Sequence, residues 1–251
     1  KWLEIYSHRF INPVFRLFQA ELEIVYEEKN RAMDNPFRVL YETFNKYFFK
    51  NHPYGQQTIL GSVEHLKNPS LTKMKNNFEK FYVPNNMFLI LTGDFEKKQV
   101  KKLIKDKFGR LKRGSDIKPL NIEENEFNGR EVVDVSITPY RIARIGFRTV
   151  KPNNQDALVL DIIANIFNNS AKTGILDKLN AENKILSASA YNRLGGKDHG
   201  GFGFGFIPRD DNQTFDEAEE LILDAINLVK NGDFELEDIN AIKLNMKMSH
   251  E

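Results

Sequence analysis

Residues 113–128 separate two halves of the sequence whose hydrophobic patterns differ, and this change limits the folds that the chain can adopt. Before it, most segments carry apolar residues at helical spacing. After it, strand-like and helical segments come in pairs. The separating segment has Gly114, Pro119 and several polar residues without a period, which is typical of a linker. We therefore predict two domains, residues 1–115 and 129–251, joined by a linker at 116–128.

The second half predicts an α+β fold. Each pair of strand-like segments, rich in β-branched and aromatic residues, is followed by two segments with helical spacing. A sheet covered on one face by helices buries both kinds of apolar surface. The strands are predicted at 131–137, 141–150, 185–194 and 202–207, and the helices at 153–168, 173–183, 216–230 and 235–251.

Glycines in the last strand alternate with Phe202, Phe204 and Phe206. A glycine-rich loop that binds phosphate opens a helix, whereas this segment lies between strands. The pattern therefore predicts a hairpin in which the small residues face a neighbouring layer.

The first half predicts helices and one buried strand. Residues 87–94 form an apolar run closed by Gly93 and Asp94, which is typical of a strand buried on both faces. The basic run at 97–113 is interleaved with apolar residues at helical spacing, so we interpret it as the solvated face of a helix rather than a nucleic-acid surface. The helices are predicted at 2–10, 21–33, 37–48, 63–66, 70–81 and 97–108.

Composition excludes several classes of function. The 36 Lys and Arg residues nearly balance the 35 Asp and Glu residues, so the net charge of +1 is too small to attract nucleic acid or an anionic membrane. Cysteine is absent, which leaves His and carboxylates as the strong metal ligands. No apolar run reaches the length of a membrane span. The chain opens on Lys1 without an initiator Met, and a helical pattern continues to Glu251, so we expect a piece of a longer polypeptide.

The segment 21–28 is the main candidate for a functional site, because a helix places Glu21 and Glu28 two turns apart on one face. Four acidic residues within eight positions repel one another unless a cation or solvent relieves the crowding. A bound metal ion is one such cation. Composition alone favours a solvated acidic face.

Histidines give weaker signals. Glu64 and His65 match the end of the inverted zinc motif H-x-x-E-H, but Gly61 occupies the position of the first His. We therefore interpret His65 as a surface or packing residue. His8, His199 and His250 are isolated in the sequence, and we interpret them as structural or solvated residues.

Several segments together resemble the pitrilysin and mitochondrial processing peptidase family of zinc metallopeptidases, whose metal-binding helix carries the motif H-x-x-E-H. Their order and spacing across nearly the whole chain make the resemblance specific. The segments are 21–28, 52–55, 60–62, 81–87 and 91–94 in the first half, and 153–168, 175–179 and 187–206 in the second.

The resemblance implies specific roles for two residues. Glu28 corresponds to the third zinc ligand, and Glu21 corresponds to a Glu that supports the ligands or the catalytic water. Glu27 points about a quarter-turn away from Glu28 and is interpreted as a bystander.

The resemblance also implies a fold and an activity. Residues 1–115 are the latter part of the metal-bearing domain, and 129–251 are a second α+β domain truncated at its C-terminal helix. The expected activity is zinc-dependent hydrolysis of peptide substrates. The expected partners are the remaining domains of the same chain or a homologous partner subunit, with no nucleic acid and no membrane span.

One departure from the family pattern leaves two explanations open. The H-x-x-E-H segment is absent from these residues, and in the family it precedes the acidic helix. Either it lies outside this chain, or the protein is a non-catalytic, peptide-binding or scaffold homologue. Retention of both Glu21 and Glu28 favours the first explanation. In both cases the chain by itself is expected to bind zinc weakly or not at all.

Overall fold

The computed structural model of the protein describes residues 1–136 and 141–250. Within them the chain forms helices throughout and strands only after residue 142. The helices are α1 (Trp2–Ile11), α2 (Phe18–Met33), α3 (Pro36–Phe48), α4 (Pro53–Gln56), α5 (Val63–Lys67), α6 (Leu71–Phe81), α7 (Lys97–Phe108), α8 (Asp156–Phe167), α9 (Ile175–Ala181), α10 (Phe215–Asn231) and α11 (Leu236–His250), and the strands are β1 (Ala143–Thr149), β2 (Ser187–Gly195) and β3 (Gly200–Ile207).

These bounds confirm most of the elements predicted from periodicity. Two predicted strands are wrong. Residues 87–94 form no strand, and Phe88 and Ile90 are 96% and 81% exposed. Residues 131–136 are also outside any strand, and Ile137 lies outside the described residues. An apolar run favours extended backbone, but a strand forms only where a neighbouring strand accepts its hydrogen bonds.

The chain divides into two compact units. Unit 1 comprises Lys1–Met33 and Ile59–Ile122, and unit 2 comprises Asp34–Thr58 and Glu123–Glu251. The break after Ile122 falls inside the predicted linker. Residues 34–58, however, belong to unit 2 although they lie in the first half of the sequence. Periodicity shows that a helix has an apolar face, but it does not show which core that face joins.

Unit 2 contains the one sheet of the described residues, so the α+β class is confirmed with one sheet-containing domain and not two. The sheet is antiparallel with the order β1-β3-β2. The register pairs Phe204 of β3 with Ile145 of β1 and with Ala190 of β2. Since alternate residues of a strand point to the same face of the sheet, Phe202, Phe204 and Phe206 all point to one side.

That side holds the main core. Helices α8, α9 and α10 pack on the sheet there, and Leu176, Ile185 and Ile222 are completely buried among the β3 phenylalanines. Helix α10 is fixed at both ends: Thr214 and Glu217 form a capping box at its start, and Gly232 takes a left-handed φ of 79° at its end.

The opposite face of the sheet is also covered, which corrects the prediction of helices on one face only. Phe48 and Phe49, at the end of α3, are 4% and 1% exposed and pack with Phe127 and Tyr191. The glycines of β3 face this side, as predicted for the hairpin. Because these glycines have no side chains, residues of β1 and β2 can approach each other across β3. The Arg144 guanidinium of β1 lies 5.5 Å from the Tyr191 ring of β2.

Unit 1 consists of helices and has a much smaller buried apolar core than unit 2. Helix α1 contacts α7, and α2 contacts α5. Val83 lies against Gly114 and is the only apolar residue of unit 1, within the described part of the chain, that is classed as buried. No helix in the described residues combines the length and the apolarity needed to cross a membrane.

Candidate functional site

Helix α2 carries the two carboxylates singled out in the sequence. It ends at Met33 because Asn35 and Pro36 start the next helix, where the Asn35 side chain accepts hydrogen bonds from the backbone N–H groups of Phe37 and Arg38. The predicted helix and its end are therefore confirmed.

Glu21 and Glu28 lie on one face of α2 and are both exposed. Seven residues of helix separate them by about 10 Å along the axis and by about 20° around it. Glu27 lies about 100° away from Glu28. Glu23 accepts a hydrogen bond from the Gln19 side chain at 3.2 Å, so this carboxylate is already engaged within the helix.

Glu28 alone does not make a zinc site, since zinc in proteins takes three or four protein ligands. Over residues 1–136 and 141–250, no group of three or more His, Asp or Glu side chains is arranged to hold a metal ion. A single exposed carboxylate can supply one ligand of such a site. The assignments of Glu28 as metal ligand and Glu21 as supporting carboxylate stay predictions.

The neighbour of α2 is helix α5, which carries His65. The Lys67 ammonium group lies 5.9 Å from the centre of the Tyr26 ring. His65 is exposed, and its backbone N–H donates to the Ser62 hydroxyl at 3.2 Å. The interpretation of His65 as a surface residue is confirmed.

A second polar cluster, centred on His52, was not predicted from the sequence. The His52 side chain is 4% exposed. Its Nδ1 accepts a hydrogen bond from the Tyr54 backbone N–H at 3.2 Å, and its Nε2 lies 3.8 Å from an Asp198 carboxylate oxygen. The ring centre of His199 is 5.0 Å away, so His199, which is isolated in the sequence, lies beside His52 in the structure.

Burial holds the pKa of His52 below its ordinary value of 6.5, and the nearby His199 lowers this pKa further. Asp198 and Glu124 act in the opposite direction but do not overcome desolvation. The neutral form of His52 is consequently the one that fits the folded state, with Nδ1 as the acceptor and Nε2 carrying the proton.

Glu124 holds the backbone next to His52. Its carboxylate accepts hydrogen bonds from the N–H groups of Asn51 and His52 at 2.9 and 2.5 Å, and from the Arg148 guanidinium at 3.2 Å. Its side chain is 2% exposed although it lies in the predicted linker. Arg148 also donates to the carbonyl oxygen of Phe48. This network joins the loop after α3 to strand β1 and has a structural role.

Comparisons with known proteins are consistent with this architecture. The sequence matches the family model described as "Peptidase M16 inactive domain" over residues 70–246. It is 21% identical to the zinc protease PqqE of Helicobacter pylori over 235 residues, which are 92% of this chain and 52% of that protein. It is 22% identical to the uncharacterized zinc protease YmxG of Bacillus subtilis over 191 residues, or 75% of this chain and 46% of that one.

Solved structures show the same fold. The crystal structure of a protease from Helicobacter pylori matches with a TM-score of 0.84 and 22% identity, covering 99% of this chain and 61% of the other. The peptidase M16 inactive domain from Pseudomonas fluorescens matches with a TM-score of 0.76 and 14% identity, covering 98% and 60%. The chain thus spans about half the length of the curated relatives that it matches.

The antiparallel sheet layered with helices and these matches define an α+β protein with a peptidase-family fold. More narrowly, the chain belongs to the M16 peptidase family, the family of pitrilysin, and matches its inactive-domain type.

Proposed function

We propose that the chain is part of a zinc metalloendopeptidase that hydrolyses peptides or unfolded polypeptides, and that residues 1–251 are inactive by themselves. The observation that carries this proposal is the placement of Glu21 and Glu28 on one face of α2, both exposed, at the spacing expected for the supporting and ligand carboxylates.

In this proposal Glu28 supplies one carboxylate ligand, and Glu21 orients the other ligands or the attacking water. The two His ligands and the general base belong to an H-x-x-E-H segment elsewhere in the longer polypeptide. Bound zinc lowers the pKa of a water molecule and polarises the scissile carbonyl group.

The proposed domain organisation assigns residues 1–115 to the metal-bearing domain and 129–251 to a second domain. The small buried core of unit 1 supports an incomplete first domain, since amphipathic helices are stable only when their apolar faces are covered. The completing partner is the remainder of the same polypeptide or a homologous subunit.

A non-catalytic peptide-binding or scaffold homologue is the second candidate, favoured by the match to an inactive-domain model. An extended peptide can add to a sheet at an open edge. Side chains already cover part of the β2 edge: Asn180 bonds both backbone groups of Ala188, and Asn168 accepts from the N–H of Ala190. Within the described residues no strand pairs with the outer edge of β1, so β1 is the edge for such a peptide.

Peptidase activity of the longer polypeptide separates the two candidates. Glu28→Gln removes a ligand oxygen charge at nearly constant volume and is expected to abolish hydrolysis, whereas Glu27→Gln, on the neighbouring position, should retain it. Hydrolysis that survives Glu28→Gln would contradict the ligand assignment. A wild-type polypeptide that binds peptides without hydrolysing them would support the scaffold candidate.

A further inference from the structure

Helix α7 and the residues that follow it concentrate positive charge that the balance of the whole chain conceals. Residues 97–113 contain nine Lys and Arg residues and one acidic residue, Asp106. At an ionic strength of 0.1 M the Debye length is about 10 Å, so a partner that approaches this helix meets the local charge and little of the remaining charge of the chain. The net charge of +1 therefore does not describe the electrostatic field at α7.

Five lysines of α7 form one continuous face. At about 100° per residue they fall within an arc of about 140°, and they extend over about 12 Å of the helix axis. All five side chains are exposed, whereas Val100 and Ile104, on the adjoining side of the helix, are half-buried. This lysine face consists of Lys97, Lys98, Lys101, Lys102 and Lys105.

Acidic side chains do not neutralise the lysine face. Across the part of the chain that the structure describes, no carboxylate forms an ion pair with any of its five ammonium groups. Asp106 lies 3.2 Å from the Lys107 ammonium group. Glu96 is engaged as the N-cap, where its carboxylate accepts a hydrogen bond from the backbone N–H of Lys98 at 3.3 Å. The positive charge of the face is therefore available to a partner.

This distribution of charge is unfavourable for the helix by itself. Lys97 and Lys98 lie in the first turn, where the helix dipole favours acidic residues, and this turn has none. Lysines that lie four residues apart on a helix also repel each other, and the face contains three such pairs. A surface that serves only solubility intersperses both signs of charge. An anionic partner accounts for the accumulation of one sign.

We propose that the lysine face binds the surface of an anionic phospholipid membrane without insertion of the helix. Lysine ammonium groups are compact charges on flexible stems, so they can follow mobile headgroup phosphates that have no fixed spacing. Each lysine close to an anionic membrane raises the partition of a protein onto it about 5-fold, and five lysines raise it about 3,000-fold. Because this attraction is electrostatic, salt weakens it.

Two other anionic partners fit less well. Nucleic-acid surfaces combine their cations with arginines that pair with bases or with aromatic side chains that stack on them, and the lysine face has neither. An acidic protein presents carboxylates at fixed positions, and each exposed ion pair with them contributes little. A lipid surface requires only the charge that this face provides.

Sedimentation of the longer polypeptide with lipid vesicles tests the proposal. At low salt the polypeptide should bind vesicles of mixed phosphatidylglycerol and phosphatidylcholine, and it should not bind vesicles of phosphatidylcholine alone. Binding should be lost at about 1 M salt, where the Debye length is about 3 Å. Absence of binding to the anionic vesicles, equal binding to both kinds of vesicle, or binding that persists at high salt would overturn the proposal.

Two double variants of the longer polypeptide locate the binding surface. Lys101→Gln with Lys105→Gln removes two charges of the lysine face and should lower the partition onto anionic vesicles about 25-fold. Lys243→Gln with Lys247→Gln removes two exposed charges at the same spacing on α11 and should change it less than about 2-fold. All four side chains are exposed, so both variants should keep the circular dichroism of the wild type. Equal effects of the two would refute a role of this face.

Binding to DNA separates lipid from nucleic acid as the partner. At the same ionic strength, the affinity per phosphate should be higher for anionic vesicles than for a DNA duplex. A higher affinity for the duplex would overturn the proposal in favour of nucleic acid.

Discussion

Replacing Phe49 by Ala tests whether α3, from the first half of the sequence, is part of the core of unit 2. Phe49 is 1% exposed. Its ring packs edge-on against Phe48 at 4.8 Å and against Tyr54 at 5.6 Å, and the Arg148 guanidinium lies 5.7 Å from its centre. These contacts tie α3 and α4 to strand β1.

The expected loss of stability is large. A buried Phe→Ala change costs about 3–5 kcal/mol, because it removes the transfer free energy of the ring and leaves a cavity. The aromatic and cationic neighbours place Phe49 in the upper part of this range, since each such pair adds about 0.5–1.5 kcal/mol.

Native-state hydrogen exchange at the β3 amides is the appropriate assay, because it reports the opening of unit 2 by itself. The predicted cost corresponds to exchange that is roughly 150- to 5,000-fold faster in Phe49→Ala. Phe37→Ala, on the same helix but 52% exposed, is the matched control and should change exchange less than about 5-fold. Similar rates in both variants would refute the placement of α3 in this core.

Three further predictions concern unit 2. The pKa of His52 is depressed in the folded state, so the unfolded state binds more protons below about pH 6.5. The free energy of unfolding should therefore be full above this pH and fall as the pH drops through the folded pKa. Urea titrations of His52→Gln should lack this dependence of the free energy of unfolding on pH. Glu124→Ala leaves the Arg148 charge and the backbone N–H groups of Asn51 and His52 without their acceptor, and it should cost about 3–5 kcal/mol in the free energy of unfolding. A loss under about 1 kcal/mol would show that solvent replaces the carboxylate. Thr214→Ala removes the cap of α10 and should cost about 1 kcal/mol, rescued by Thr214→Ser.

Local rules predicted the parts of the fold that depend on neighbours in sequence. Helix α7 begins and ends where its apolar spacing does, and α2 ends where Asn35 and Pro36 start the next helix. A short connection joins β2 to β3, and Phe and Gly alternate along β3, which pairs with both β1 and β2. The alternation of side chains was therefore sufficient to predict these three strands.

Contacts between distant residues were beyond these rules. Glu124 accepts bonds from residues 72 and 73 positions earlier, and His52 meets Asp198 and His199 across a still longer separation. The sequence of 116–128 predicts a linker, because the residues that Glu124 contacts are distant in the sequence. Likewise, the apolar run at 87–94 has strand propensity but no partner strand within the described residues.

At the candidate site, too, the sequence predicted the local geometry but not the contacts between distant residues. Helical geometry places Glu21 and Glu28 on one face, and the structure has both exposed there. Spacing within α2 does not determine which other side chains would complete a zinc site.

Zinc content of the purified longer polypeptide tests the central claim most directly. We predict close to one zinc per wild-type polypeptide and per Glu27→Gln variant, and a loss of most of the zinc in Glu28→Gln, with the fold retained by circular dichroism. Equal zinc content in Glu28→Gln and the wild type would contradict the assignment of Glu28 as a ligand.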